Sequence, residues 1–378
     1  MVVSCAEAKP SPTARAIRPT PRLPSPTPVS SPSPLPVSPT EVGSGLDTPY
    51  PTSTPSPEYL TWTIVAEIEH TWPVFDIALS PDETSLAAGD YKGAVLIWDL
   101  TSGKQVYALR GHHSHASDVD WSPDGTKLAS AGDTDPYLRI WDVRNGTSWR
   151  VLYQGGWVTA VAWSPDGSQL ASSSFDGRVQ LRDADTGRTR RVLQHFDWVE
   201  AVAWSPDSSR IASGDSQGTI RIWDVKGGAL VQEREGQTWD SARLAWSPDG
   251  TMLAVADRYD IVRIWGLPEG RPIQVLESHT DTVSGLAWSP DGHWLATGSE
   301  DKTLRIWDTT TWREVFVAQL DGWVTAVAWY ADGKRLATGS YSGKVQFWEP
   351  SSSDQPSFLG TLSPSAVPSV EITPTPEA

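Results

Sequence analysis

The stretch that decides the fold is VSGLAWSPDGHWLATGSEDKTLRIWD, residues 283–308. Val283–Trp288 reads as a short strand. Ser289-Pro290-Asp291-Gly292 then reads as a tight turn with a mechanism for each residue: proline presets φ, aspartate bonds local backbone, and glycine accepts a positive φ. Trp294–Gly298 follows as a second strand and Leu304–Trp307 as a third. In the third, Leu304 and Ile306 point one way while Arg305 and Trp307 point the other, the two-residue period of a strand. Glu314–Ala318 makes a fourth strand before the pattern starts again. The unit is four short strands joined by turns, one antiparallel sheet.

The pattern recurs along the chain. The apolar-apolar-Trp-Ser-Pro-Asp-Gly phrase is centred on Trp121, Trp163, Trp204, Trp246 and Trp288, with variants at Leu79 and Trp329. The apolar-Arg-Ile-Trp-Asp phrase ends at Trp98, Trp141, Trp223, Trp265, Trp307 and Trp348, and Arg182 takes the aromatic place in the third copy. There are seven copies at spacings of 41 to 43 residues, and a fixed period of this length marks a repeat architecture.

Outside the repeats the composition changes. Residues 1–60 hold 15 of the 31 prolines and residues 350–378 hold 6, whereas all 21 tryptophans lie between them. Residues 1–60 and 350–378 are therefore expected to be unstructured Pro/Ser/Thr-rich ends, and residues 61–349 a single repeat domain. Formal net charge is −16, of which −13 falls on the repeats. That opposes the phosphate neutralisation on which nucleic-acid binding depends, so nucleic acid is excluded as a partner. No apolar run approaches the roughly 18–20 residues needed to span a bilayer. Cys5 is the one cysteine, so the repeats contain no disulfide and no thiol nucleophile.

These copies resemble the WD-repeat family of β-propellers over residues 61–349. The resemblance implies an all-β, seven-bladed propeller of four-stranded blades around a central channel. The seventh copy ends at its third strand, Val345–Trp348, while Thr63–Glu67 is a strand that no copy claims. It is expected to supply the missing outer strand of the last blade, closing the ring and covering its edge. The resemblance also implies a buried His-Asp-Ser/Thr-Trp hydrogen-bond set within a blade. Two copies match it fully: His112, Ser130, Asp135 and Trp141, and His279, Thr297, Asp301 and Trp307. His70 and His195 are read as lacking the aspartate, since Lys92 and Gln217 stand there, and Gln154 replaces the histidine that would pair with Asp176. The trio has the composition of a nucleophile-activating triad, but it recurs at the repeat period and ends on a tryptophan N–H that needs a partner when buried. It is read as scaffold, and no catalytic residue is assigned.

The resemblance also implies a contact face, formed by the loops before each first strand and between the second and third strands. The position six residues before the first-strand aromatic gives His115, Trp157, Trp198, Asp240 and Trp323, with Trp72 and Trp239 one residue earlier in their copies. The other loop adds Tyr91, Phe175, Tyr259 and Tyr341, and Glu200 joins Asp240 as a polar anchor. Tryptophan and tyrosine bury large area at little entropy cost, so this aromatic rim is expected to bind a protein or peptide, with a glycan as the alternative. The opposing expectation is that these rings fold over blade seams and pack against neighbours.

His113 and His115, with Asp118 nearby, are too few to assign a metal site, and no phosphate-binding glycine loop or nucleophile elbow appears. No cofactor is therefore expected, and the propeller is expected to be monomeric. Val2-Val3-Ser4-Cys5 resembles a bacterial lipoprotein box, with Cys5 as the lipidation site and the Pro-rich stretch as a spacer lifting the propeller off a membrane. The expectation is an extracytoplasmic, lipid-anchored scaffold if the true start lies upstream, and a cytoplasmic scaffold without an anchor otherwise. A propeller enzyme acting on glycans is the third reading. It requires converging carboxylates or histidines, and the copies are read as having none beyond structural ones.

Overall fold

The computed structural model describes residues 61–234, 241–257, 260–267 and 271–351. The Pro-rich ends and Cys5 fall outside them. Among the described residues there are 28 strands and no helix. The first is β1 (Trp62–Glu69). The rest follow in fours: blade 1 is β2–β5 (Val74–Arg110), blade 2 β6–β9 (Ala116–Tyr153), blade 3 β10–β13 (Val158–Gln194), blade 4 β14–β17 (Val199–Arg234), blade 5 β18–β21 (Ser241–Leu276) and blade 6 β22–β25 (Val283–Gln319). Blade 7 has three strands of its own, β26 (Val324–Trp329), β27 (Leu336–Ser340) and β28 (Lys344–Pro350), and takes β1 as its fourth. Blades 1 to 6 are each an antiparallel sheet in chain order, so local turns alone set their register, whereas blade 7 is also antiparallel but gains its outer strand from the start of the repeat domain.

The turns work as the sequence suggests. In each of six blades the serine hydroxyl donates to the aspartate two residues on, at 2.6 Å, and that carboxylate caps following backbone N–H groups. Gly292 takes φ 74° in its turn, while Glu83 and Ser208 hold the same left-handed backbone without being glycine.

The first strands of successive blades contact one another around the full circle, and β26 returns to β2. Burial follows from this. The second and third strands are nearly buried throughout, while outer strands such as β5 show one face to solvent. In blades 2, 4, 5, 6 and 7 the tryptophan that precedes the turn is a seam residue whose indole N–H donates to an alanine carbonyl of the preceding blade, Trp121 to Ala78 at 3.0 Å and Trp204 to Ala162 at 2.9 Å among them.

Closure follows the expectation. β1 pairs antiparallel with β28 from Trp62 opposite Pro350 to Glu69 opposite Lys344, with one bulge between Ile64 and Ala66. Trp62, Ala66 and Ile68 are the buried positions. The joint between blades 7 and 1 is fastened at both ends of the strands. Thr325 Oγ1 donates to the Val74 carbonyl at 2.8 Å, and Glu83 receives Arg335 at 3.3 Å and the backbone N–H of Ala331.

Candidate functional site

The polar groups inside the blades are fastened to one another. In blade 2, His112 Nδ1 lies 2.9 Å from Asp135 and Nε2 lies 2.7 Å from Ser130 Oγ, which also accepts the Trp141 indole N–H at 2.9 Å. One proton arrangement satisfies all three contacts: His Nδ1–H donates to the carboxylate, the hydroxyl donates to Nε2, and the indole donates to the hydroxyl oxygen. Blade 6 repeats it with His279, Asp301, Thr297 and Trp307. Burial holds both histidines below the usual imidazole range, and the paired aspartates oppose this only in part. The hydroxyl is bound on both sides, which leaves no free nucleophile in the trio.

The expectation that His195 lacks an aspartate is overturned. His195 Nδ1 meets Asp215 at 3.0 Å, Nε2 meets Ser213 at 2.7 Å, and Trp223 donates to Ser213 at 2.8 Å, a complete third network. Asp215 is the last residue of its strand rather than a loop residue, so its carboxylate reaches the imidazole from two positions upstream of Gln217. In blade 1, Asp90 likewise lies close enough to oppose the burial that lowers His70, so Lys92 does not mark a missing aspartate. What blade 1 lacks is the hydroxyl. Ala88 stands in that place, and His70 Nε2 and Trp98 Nε1 are buried without partners. Blade 3 is built differently: Ser172 donates to Gln154 at 2.8 Å, and Arg182 donates to the Tyr153 carbonyl at 2.7 Å.

The rim residues form two aromatic clusters around the channel mouth. In the first, His115 stacks on Phe75 at 4.8 Å and on Tyr91 at 4.3 Å, those two rings lie 6.3 Å apart, and Phe75 meets edge-on Tyr341, which touches Trp323 at 4.8 Å. Lys92 lies over the Trp72 ring, 4.6 Å from its centroid. In the second, Phe175 sits between Trp157 at 5.7 Å and Trp198 at 4.9 Å. Packing and exposure coexist here: Trp157 is 46% and Trp198 53% exposed although each rests on Phe175. Trp239, Asp240 and Tyr259 lie outside the described residues. Sequence reasoning missed Phe196, which projects from the adjoining loop 95% exposed, and Phe75, whose place in its strand is polar or small in the other copies.

Between the clusters the channel mouth opens as a cavity of about 340 Å³. Phe75, Phe175, Glu200, Glu300, Asp133 and Arg243 are among its lining residues. Next to the lining residues Phe75 and Ser117, two first-strand carboxyl groups, Asp76 and Asp118, come together, and both serve the structure. Asp76 and Asp118 hydrogen-bond to each other; burial holds Asp76 well above the usual carboxylate range and also raises Asp118, which Arg243 opposes. Their oxygens are committed to structure. Asp76 accepts the Val119 N–H at 2.9 Å and Asp118 the Val161 N–H at 2.7 Å, and Arg243 crosses the channel to Asp118 at 3.3 Å. The signal for this group is present in the repeats. The third first-strand position is Ala or Gly in four copies, and Asp76, Asp118 and Arg243 in the other three. Among the described residues no three His, Cys, Asp or Glu side chains gather as a metal site requires.

Comparison with known proteins agrees with this geometry. Relatives include WD repeat-containing protein SL1-17 of Schistosoma mansoni, 44% identical over 73 residues that are 19% of this chain and 24% of that protein. Transcription factor unc-37 of Caenorhabditis elegans is 44% identical over 69 residues, 18% of this chain and 11% of its own length. Protein groucho of Drosophila melanogaster is 36% identical over 84 residues, 22% of this chain and 11% of its own. The matched stretches thus span a quarter or less of each relative. All three relatives are eukaryotic and lend no support to a bacterial lipoprotein reading. The family model described as the IFT122 first beta-propeller matches residues 73–267, just over half of the chain, and the WD domain, G-beta repeat model matches 270–308 and 314–349. From blade 1 to blade 7 the matched residues follow the observed sheets, and the chain belongs to the WD-repeat β-propeller family.

Proposed function

We propose that this protein is a non-catalytic scaffold that binds a protein or peptide partner across the aromatic face of its propeller. The observation that carries the reading is the pair of clusters at the channel mouth, Trp157–Phe175–Trp198 and Trp323–Tyr341–Phe75, whose rings hold each other in place while staying open to solvent. Rings fixed in advance lose little entropy on binding, and loops on a rigid scaffold are where contact residues concentrate. The carboxyl groups of the channel are bound to backbone and to Arg243, which favours a structural role for them.

The test is the double substitution Trp157→Ala and Trp323→Ala. Proteins cross-linked to wild-type chain should be lost from the variant, with thermal unfolding close to that of wild type. A variant that retains the same partners refutes the rim, and one that unfolds shows that the rings are packing residues. Retention of polysaccharide columns by wild type and not by the variant would move the reading from peptide to glycan.

A tethered form of this scaffold is favoured by one sequence feature, Val2-Val3-Ser4-Cys5 immediately followed by a Pro-rich spacer. Expressed from its native locus, wild type should then partition into detergent with the mass of an added lipid and Cys5→Ala should not. Two soluble proteins beginning at Met1 would leave an unanchored cytoplasmic scaffold.

A further inference from the structure

We infer that the segment bound at this face is basic, and that it seats a lysine or arginine side chain in the channel mouth. The inference rests on the binding reading above and adds the chemistry of the ligand. Three carboxylates, Asp133, Glu200 and Glu300, line the mouth with one guanidinium, Arg243, and one imidazole, His115, whose Nδ1 lies 3.9 Å from Asp133. Arg243 is held from two sides, its Nε donating to the Ser284 carbonyl at 2.9 Å and its NH1 to Asp118 at 3.3 Å. An anionic ligand would meet the excess of carboxylates with the one cation already engaged. A wholly apolar ligand would bury those charged groups away from solvent, which is costly.

A long cationic side chain satisfies both parts of the lining. Its methylene stem packs on Phe75 and Phe175, and its charged head reaches Glu200 and Glu300 across the mouth. Aromatic faces attract cations through the ring quadrupole, and the rim already shows the pairing in Lys92 over Trp72. A cavity of about 340 Å³ accommodates a side chain or two, not a folded element. The rest of the partner must lie along the rim, where Trp157, Trp198 and Phe196 are exposed. The chain's net charge of −16 adds long-range steering of a basic partner.

The experiment uses short fluorescein-labelled peptide mixtures with the central position fixed as Arg, Lys, Leu or Glu and the flanks randomised among uncharged residues. Each is titrated with the full chain by fluorescence polarisation. The Arg and Lys mixtures should bind about tenfold tighter than the Leu mixture, the Glu mixture weakest, and the preference should shrink as salt rises. Glu200→Gln with Glu300→Gln should bring the Arg mixture down to the level of the Leu mixture. Each single variant should give part of that loss, which keeps the test usable if the double variant unfolds.

Equal binding of all four mixtures, or binding of none, overturns the inference. If binding is equal but disappears in the Trp157→Ala, Trp323→Ala variant, the cation falls while the aromatic rim stands. If no mixture binds and cross-linked partners also survive that variant, both fall.

Discussion

Replacing Asp120 with asparagine should stabilise the protein at pH 8 and do much less at pH 5. Asp120 occupies a first-strand position that is alanine in the other six copies: Ala78, Ala162, Ala203, Ala245, Ala287 and Ala328. Its Oδ2 accepts the Trp163 backbone N–H at 2.6 Å. Burial nonetheless raises the carboxyl to about 7, and nearby Asp118 adds to the effect. An unfolded aspartate ionises near 4, so the folded carboxyl is the more basic of the two. Its favourable contribution is complete below about pH 4, is lost as pH rises from there to about 7, and stays lost above. The full loss is about 4 kcal/mol at roughly 1.4 kcal/mol per unit, of which about 2–3 kcal/mol falls between pH 5 and pH 8. Asparagine keeps the acceptor for Trp163 and carries no charge. Urea unfolding of wild type and Asp120→Asn at both pH values isolates the effect, because every other titrating group is common to the two proteins. Parallel profiles, or a variant that loses stability at pH 8, would refute the placement of an ionisable carboxyl in this wall.

The histidine networks give a pair of opposite predictions. Ser213→Ala orphans His195 Nε2 and Trp223 Nε1 and should cost about 2–4 kcal/mol, whereas Ala88→Ser supplies a partner to the orphaned His70 Nε2 and Trp98 Nε1 and should gain about 1 kcal/mol. Melting temperatures moving in the same direction would sink this account. Ile68→Ala removes a buried side chain from the closing strand and should cost about 2–5 kcal/mol, and equal resistance to limited proteolysis in variant and wild type would argue against closure through β1. Burial also depresses His112, His195 and His279, so their unfolded forms bind protons first and stability falls as pH drops below about 6.5. The raised carboxyls of the channel work in the opposite sense, so Asp120→Asn should steepen this acid limb in chemical denaturation.

Seven blades were legible because each is specified by short-range chemistry that repeats in the letters. Ser-Pro-Asp-Gly makes its turn from its own side chains, and the alternation in Leu304–Trp307 sends Leu304 and Ile306 to one face of its strand and Arg305 and Trp307 to the other. Closure was legible by counting, since one copy lacks a strand and one strand lacks a copy. The aspartate of His195 was not. A comparison by offset places it in the loop at Gln217, but an imidazole responds to the space around its Nδ1. A carboxylate at the end of a strand fills that space as well as one from the loop does in blades 2 and 6.

The channel mouth was hidden for a related reason. Arg243 and Asp118 stand 125 residues apart and meet only because the ring brings blade 5 opposite blade 2. The repeat masks such pairs as long as copies are read for what they share. Read for where they differ, the same alignment isolates Phe75, Asp76, Asp118, Asp120, Glu200 and Arg243, each at a place where the other copies are mostly small or uncharged. Identical blades would give a channel of uniform lining with nothing to orient a partner. Asymmetry at its mouth can come only from departures from the consensus, and those departures collect on the first strands and rim loops.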